Sequence, residues 1–210
     1  AADDNATTNE DTPVSLNVTL NDTDVDGTIN ISTVDLDPGT VGIQTSFNNG
    51  AGNWVVSAGV VTYTPTLDYT GPGSVTYRVS DNNGALSNLA MFEVEVDVEN
   101  DPPIAVNDNT TTPEDTPVTY NVTTNDTDTD GSLDVATVDL EPATPGIKTP
   151  FSNPAGSWSV APTGVVSYTP TLNFNGPASV SYRVDDNTGL HSNIATLTIA
   201  VSSVNDLPTI

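Results

Sequence analysis

Acidic side chains recur at alternate positions in two short loops of this sequence. The first loop reads Asp22-x-Asp24-x-Asp26-Gly27, and the same pattern returns at 126–131. Carboxylate oxygens at this spacing, followed by a glycine that permits a sharp turn, suit Ca²⁺, which takes roughly six to eight oxygen ligands at about 2.3–2.6 Å. The pattern therefore predicts divalent-cation binding in both loops.

A solvated polar turn is the competing interpretation, because Asn, Asp and Gly favour turns even without a metal. Neighbouring carboxylates repel one another by on the order of 1 kcal/mol at about 4 Å in water. Three aspartates at alternate positions, in two loops, therefore favour the metal. An EF-hand is disfavoured, since Thr33 and Thr137 stand at the twelfth position, where that motif has a bidentate glutamate.

Further acidic clusters flank these loops. In the first half of the chain they are Glu10-Asp11, at the turn into the second predicted strand, and Asp81-Asn82-Asn83-Gly84, between the last two. The middle segment 98–108 reads Val-Glu-Asn-Asp-Pro-Pro-Ile-Ala-Val-Asn-Asp, and its two prolines stiffen the backbone. A plain proline linker is one interpretation of this segment, and the adjacent oxygen ligands favour another, a metal-clamped joint between two domains.

The two halves of the chain are copies of one unit. Glu10-Asp11-Thr12-Pro13-Val14 recurs as Glu114-Asp115-Thr116-Pro117-Val118, and Tyr77-Arg78-Val79 recurs as Tyr182-Arg183-Val184. Such self-similarity marks tandem repeats, and it predicts two domains, residues 1–101 and 102–210. The sequence opens within a fragment of the linker pattern, so we expect it to be a piece of a longer protein.

Within each copy, apolar and polar residues alternate in short runs, as in strands with one buried face. In the first copy the runs fall at 13–20, 28–36, 54–56, 60–63, 75–79 and 89–98. Proline and glycine lie between the runs, and no stretch sustains a helical period. About seven strands per copy predict an all-β chain of two immunoglobulin-like Greek-key β-sandwiches joined end to end.

Alternate loops of a sandwich lie at opposite ends, which predicts where the acids meet. The Asp-x-Asp loop and the 81–84 loop should share the end at which the chain enters the unit, and Glu10-Asp11 should lie at the other end. We expect residues from both units to ligate calcium at the joint: Glu10, Asp11, Asn100, Asp101, Asp126, Asp128, Asp130 and Asp186. The outer clusters should be half-sites of the same chemistry: Asp22, Asp24, Asp26, Asp81, Glu114 and Asp206.

The order of motifs resembles the tandem cadherin-like repeats of large bacterial surface adhesins. The motifs are Glu-Asp-Thr-Pro, Asn-Asp-x-Asp-x-Asp-Gly, Tyr-x-Pro-x-x-x-Tyr/Phe-x-Gly, Tyr-Arg-Val-x-Asp and Asn-Asp-x-Pro, and they cover essentially the whole chain. The resemblance implies calcium at domain boundaries and service as extracellular stalk repeats in cell adhesion, biofilm formation or gliding motility. Pro102 departs from the linker pattern of animal cadherins, so the number of ions per joint stays open.

The amino-acid composition limits the classes of binding partner that we expect. The formal net charge is −25, from 28 acids against three basic residues, which excludes nucleic acid and an anionic membrane surface as expected partners. No cysteine is present, and no apolar run approaches the roughly 18 residues of a membrane span. The expected partners are neighbouring repeats of the same chain, with any glycan or protein target bound through other domains.

Catalysis is not expected. The only histidine, His191, has Leu86 as its counterpart in the first copy, and the acids fall at repeated loops instead of one cleft. The second hypothesis is a binding module for carbohydrate or protein. That hypothesis predicts divergence of the copies at exposed aromatic positions, whereas the copies differ by scattered conservative exchanges.

Overall fold

The protein is all-β. The computed structural model describes residues 1–206 and folds them into sixteen strands. Within that range there is no helix long and apolar enough to cross a membrane. The chain divides into two compact units, unit 1 (Ala1–Glu99) and unit 2, which begins at Asn100.

Each unit contains eight strands. Those of unit 1 are β1 Asp4–Asn9, β2 Val14–Asn17, β3 Ile29–Asp35, β4 Ser46–Asn49, β5 Gly52–Ser57, β6 Val60–Pro65, β7 Gly71–Asp81 and β8 Ala90–Asp97. Those of unit 2 are β9 Asp108–Pro113, β10 Val118–Asn121, β11 Leu133–Asp139, β12 Pro150–Asn153, β13 Gly156–Val160, β14 Val165–Pro170, β15 Gly176–Asp186 and β16 Ala195–Ser202.

Two four-stranded sheets form the sandwich of each unit. In unit 1 the strand orders are β1-β8-β7-β3 and β2-β6-β5-β4, and unit 2 repeats them as β9-β16-β15-β11 and β10-β14-β13-β12. The first strand of each unit pairs in parallel with the last, and the other pairings are antiparallel. The predicted all-β fold of two tandem sandwiches is confirmed.

The core of each unit lies between its two sheets and is built on one tryptophan. In unit 1 the Trp54 ring stacks on Tyr63 at 4.1 Å and meets Phe92 edge-on at 5.5 Å. Gly52 makes this packing possible, since a Cβ there would lie 2.5 Å from Cε2 of the Tyr63 ring. Trp158, Tyr168 and Gly156 repeat the arrangement in unit 2, and the aromatic side chains named here are all buried.

Among the differences from the predicted runs, one strand ends early and another has almost no sequence signal. The run at 13–20 gives a strand that ends at Asn17, because the Asn17 side-chain oxygen accepts hydrogen bonds from the backbone and hydroxyl of Thr19. Strand β4 escaped sequence analysis, since Phe47 is its only apolar residue. Short edge strands with little apolar content are set by their partners and not by their own pattern.

Arg78 and Arg183 form equivalent ion pairs in the two units. Arg78 lies 3.5 Å from Asp35, and Arg183 lies 3.4 Å from Asp139. Both aspartates are buried, and Asp35 also accepts backbone N–H bonds from Asp37 and Gln44. The pair therefore anchors the loop that follows β3, and Asp139 does the same after β11.

Candidate metal centre

In unit 2 the Asp-x-Asp loop is held against the loop that follows β15. The Asn187 backbone N–H donates to the Ser132 carbonyl (2.9 Å), and the Asn187 side-chain oxygen accepts from the Ser132 N–H (3.1 Å). Gly131 lies where these loops meet. A Cβ at Gly131 would lie 2.7 Å from Asp128 Oδ2 and 2.9 Å from Asn187 Oδ1, so a carboxylate and an amide oxygen converge on the glycine.

Asp128 is the aspartate of this loop that lacks hydrogen-bond partners for its carboxylate within the described part of the chain. Both of its carboxylate oxygens are shielded from water, and neither has a hydrogen-bond partner among residues 1–206. Buried polar atoms in proteins are almost always paired, and an unpaired carboxylate is especially unfavourable. A hard cation satisfies two such oxygens at once, and the donor set here is entirely oxygen, as calcium prefers.

The start of unit 2 is tied to the same loops. The Asn100 side-chain amide donates to Asp186 Oδ2 (2.6 Å), and the Asp101 backbone N–H donates to the Asp130 carboxylate (3.2 and 3.3 Å to its two oxygens). Ile104 and Thr127 exchange two backbone hydrogen bonds of 2.8 and 3.1 Å. The proline-containing segment is thereby fastened to the acidic loops.

Asp186 organises its own loop. Its Oδ1 accepts backbone N–H bonds from Thr188, Gly189 and Leu190 and a bond from the Thr188 hydroxyl. Burial alone would raise the pKa of Asp186, but these bonds and the one from Asn100 outweigh it and hold the pKa below its usual range. Asp186 therefore stays ionised, as a cation ligand must.

Asp126 faces inward. It is buried, its Oδ1 accepts the Val106 N–H (2.8 Å), and the Tyr182 hydroxyl lies 3.1 Å from the same oxygen and 3.0 Å from Asp108 Oδ2. Burial raises the pKa of both Asp126 and Asp108. The Tyr182 hydroxyl thus lies between two carboxylates, and this cluster joins the entering chain to the loop.

Unit 1 repeats the geometry. The Asn82 N–H donates to the Thr28 carbonyl and Asn82 Oδ1 accepts the Thr28 N–H, both at 2.9 Å. One oxygen of Asp22 and one of Asp24 are shielded from water without a partner among the described residues. Asp81 Oδ1 accepts two backbone N–H groups of its own loop at 2.8 Å. Asp26 is exposed, and its N–H lies 3.4 Å from Asp24 Oδ1.

The remaining predicted ligands lie at the opposite end of each unit, as the alternation of loops predicts. Glu10 and Glu114 are buried. Glu10 Oε1 accepts the Glu99 N–H (2.8 Å), and Glu114 Oε1 accepts the Val204 N–H (2.5 Å). The turn acid Asp11 accepts a backbone N–H from Asp68 (3.1 Å). Asp206 is exposed, at the end of the described residues.

Sequence analysis gave Asn82 and Asn187 no role as ligands, although both contribute an oxygen beside the glycine. The signal was present, since an asparagine follows the loop aspartate in both copies. It was missed because asparagine is also an ordinary turn former. The inward role of Asp126 had no signal in spacing, because Tyr182 lies far along the chain.

Several solved structures are similar to this chain, each at low sequence identity and with a TM-score below 0.5. Chicken VE-cadherin EC1-2 is 17% identical, covers 94% of this chain and 96% of its own, and gives a TM-score of 0.36. The human desmocollin-1 ectodomain is 11% identical, with 97% and 40% coverage and a TM-score of 0.48. The fibronectin(III)-like modules of Clostridium thermocellum CbhA are 16% identical, with 96% and 90% coverage and a TM-score of 0.28.

No curated protein is detectably similar in sequence. A family model described as the bacterial Ig domain matches twice, over residues 1–91 and 100–200. Those two ranges coincide closely with the two sandwiches described above. The chain therefore belongs to the bacterial Ig domain family and carries two tandem copies of that domain.

Proposed function

We propose that the two units are calcium-stiffened extender repeats of a bacterial cell-surface adhesin. Bacterial Ig-like repeats are typical of surface proteins and are usually non-catalytic structural modules. The observation that carries the proposal is the Asp128 carboxylate, which is shielded from water and lacks a donor among the described residues. The counterpart in unit 1, Asp24, has one such oxygen, and a bound cation would satisfy the unpaired oxygens in both loops.

The residues assigned to the ion in unit 2 are Asp128 and Asn187, with Asp130, Asp186 and Asp101 around them. Asp186 can ligate although it accepts several hydrogen bonds, because a carboxylate offers roughly four acceptor positions. Asp126 is engaged by Tyr182 and Val106, so it positions the loop. In unit 1 the matching residues are Asp24, Asp26, Asp81 and Asn82. Asp22, the counterpart of Asp126, is added because one of its oxygens is shielded from water without a partner among the described residues.

Calcium bound there supplies positive charge that offsets the repulsion among the acids. The mechanical consequence follows from the contacts of Asn100 and Asp101 with Asp186 and Asp130. Those contacts attach the proline segment to the acidic loops, so neutralising the loops also fixes the segment that leads into unit 2. A stalk requires stiff connecting segments between its repeats, and additional repeats then make the stalk longer.

A non-catalytic role agrees with how the acids are used. They occupy equivalent loops of both units and bond mainly to backbone N–H groups of those loops. His191 bonds to Asp185 (2.6 Å) and has a leucine as its counterpart in unit 1. We also propose an extracellular location. Calcium is available there at millimolar concentration, and extracellular modules bind it with Kd values of roughly 10⁻⁴–10⁻³ M.

Small-angle scattering of the two-unit chain tests the proposal. With calcium, we expect lower flexibility than in a chelator, and Asp128→Ala should remove the difference. Magnesium at the same concentration is the matched control, because Mg²⁺ demands near-octahedral geometry and gives up its water reluctantly. Identical scattering with calcium and with chelator would refute the stiffening role, and an equal response to magnesium would refute the assignment to calcium.

A further inference from the structure

The sheet that contains β7 leaves part of that strand unpaired on one side. β8 pairs with β7 from Gly71 to Tyr77, whereas β3 pairs with it only at Arg78, Ser80 and Asp81. Among the strands of residues 1–206, the first half of β7 therefore has a neighbour on its β8 side and none on the other. We call the backbone of Pro72–Thr76 on this second side the β7 lane.

The direction of the backbone groups follows from strand alternation. Val79, on β7, accepts the Ser87 N–H on the side of β8, so the backbones of Val75 and Tyr77 face β8 as well. Those of Ser74 and Thr76 then face the lane. A direct contact agrees, since the Asn49 side chain reaches across and donates to the Ser74 carbonyl (3.1 Å).

Part of the lane is already blocked. Pro72 has no N–H to offer, and its carbonyl accepts the Tyr69 hydroxyl (2.7 Å). Proline and side-chain caps are common protections of sheet edges against unwanted pairing. Three groups stay open within the described part of the chain: the N–H of Ser74, the N–H of Thr76 and the carbonyl of Thr76.

A groove of ≈ 770 Å³ lies along the open groups. Its lining includes the buried side chains of Leu36 and Val75, the half-buried ring of Phe47 and the exposed side chain of Leu89. A lining of mixed apolar and polar side chains, beside two donors and one acceptor at strand spacing, is complementary to an extended peptide. Main-chain bonds would give the peptide affinity, and its alternate side chains would fill the groove, as in strand addition to a sheet edge.

The charge of the groove selects the peptide. Asp37 and Arg78 are the charged residues of its lining, and Arg78 is already paired with the buried Asp35. The chain as a whole carries −25. A second copy of this chain is disfavoured as the occupant, since it brings the same large negative charge and only three basic residues. A basic segment is favoured.

We propose that the β7 lane of unit 1 binds an extended, lysine- or arginine-bearing segment of a partner protein as an added strand. This site is independent of the calcium loops. Unit 2 has the corresponding lane beside β15, with Asn153 reaching the Ser179 carbonyl (3.4 Å). Its groove is only ≈ 250 Å³, so unit 1 is the preferred site.

The test uses the two-unit chain, labelled with ¹⁵N, and a peptide of about seven residues that alternates valine with lysine and threonine. In the free chain, the amides of Val75 and Tyr77 should exchange slowly and those of Ser74 and Thr76 rapidly. On adding the peptide, the Ser74 and Thr76 amides should shift and become protected. Slow exchange of both amides in the free chain would overturn the proposal, as would unchanged amides at millimolar peptide.

Thr76→Pro removes the lane N–H and spares the bonds to β8, so peptide affinity should fall at least tenfold. Ser181→Pro, the equivalent change in unit 2, is the matched control and should leave the affinity within about twofold. Asp37→Asn keeps an acceptor for the Thr40 hydroxyl and should weaken the peptide a few-fold even if Thr76→Pro does not fold. A twin peptide with glutamate for lysine, or one N-methylated at alternate residues, should not bind. Equal binding of either twin contradicts the proposal.

Discussion

The two ends of each unit use buried carboxylates in opposite ways. At one end, Glu10 and Glu114 accept backbone N–H bonds from the outgoing segment. At the other end, Asp24 and Asp128 have oxygens shielded from water without a donor among the described residues. Acid content alone therefore does not locate a cation site. The useful criterion is whether the protein itself supplies the donors.

Glu114→Ala should have the largest effect, because it removes a buried side chain and leaves the Val204 N–H without its acceptor. We expect a loss of about 2–3 kcal/mol in the free energy of unfolding, equal in calcium and in chelator. Urea unfolding under both conditions measures it. Glu114→Gln retains an acceptor oxygen and should lose about half as much. A loss seen only in calcium would mean that this end also binds the ion.

Asp128→Ala should behave in the opposite way. At about 10 mM calcium and a Kd of roughly 10⁻⁴–10⁻³ M, binding adds about 1.4–2.7 kcal/mol to the stability of unit 2. The variant should lose that gain. In chelator it should be as stable as the parent or slightly more so, since the unpaired oxygens are gone. Calorimetry in calcium and in chelator measures the stability that calcium adds to the variant. If the variant gains as much stability from calcium as the parent, the assignment of Asp128 is wrong.

The Tyr182 cluster lies between these two cases, because its two carboxylates, Asp108 and Asp126, are buried around a single hydroxyl group. Burial raises the pKa of Asp108, so the fold favours its neutral form. The stability that this provides is fully present below the unfolded pKa of about 3.9 and is lost as pH rises through the folded value. In chelator, Asp108→Asn should reduce the fall in stability between about pH 4 and 7. An unchanged pH profile would place the ionisation elsewhere.

Much of the fold could be predicted from the sequence, and the reasons are local. The alternation in β5–β8 and the glycine turn at 58–59 fix the hairpin and the core face, and the repeat gives the second unit. The pattern also indicates which loops share an end. The sequence does not show which carboxylates accept hydrogen bonds from the rest of the protein. Those bonds depend on contacts such as Asn100 with Asp186 and Tyr182 with Asp126, which join residues 86 and 56 positions apart.

His191→Leu should have the smallest effect and so serves as the control for the others. His191 lies 2.6 Å from Asp185, and its side chain is 54% exposed. Exposed ion pairs contribute about 0–1 kcal/mol, and Leu86 at the equivalent position shows that the fold accepts the replacement. We expect a change within about 0.5 kcal/mol and an undiminished calcium gain in the melting temperature. Because Asp185 adjoins Asp186, a reduced calcium gain would show that the His191–Asp185 contact supports the metal loop. That contact would then belong with the residues that affect calcium binding.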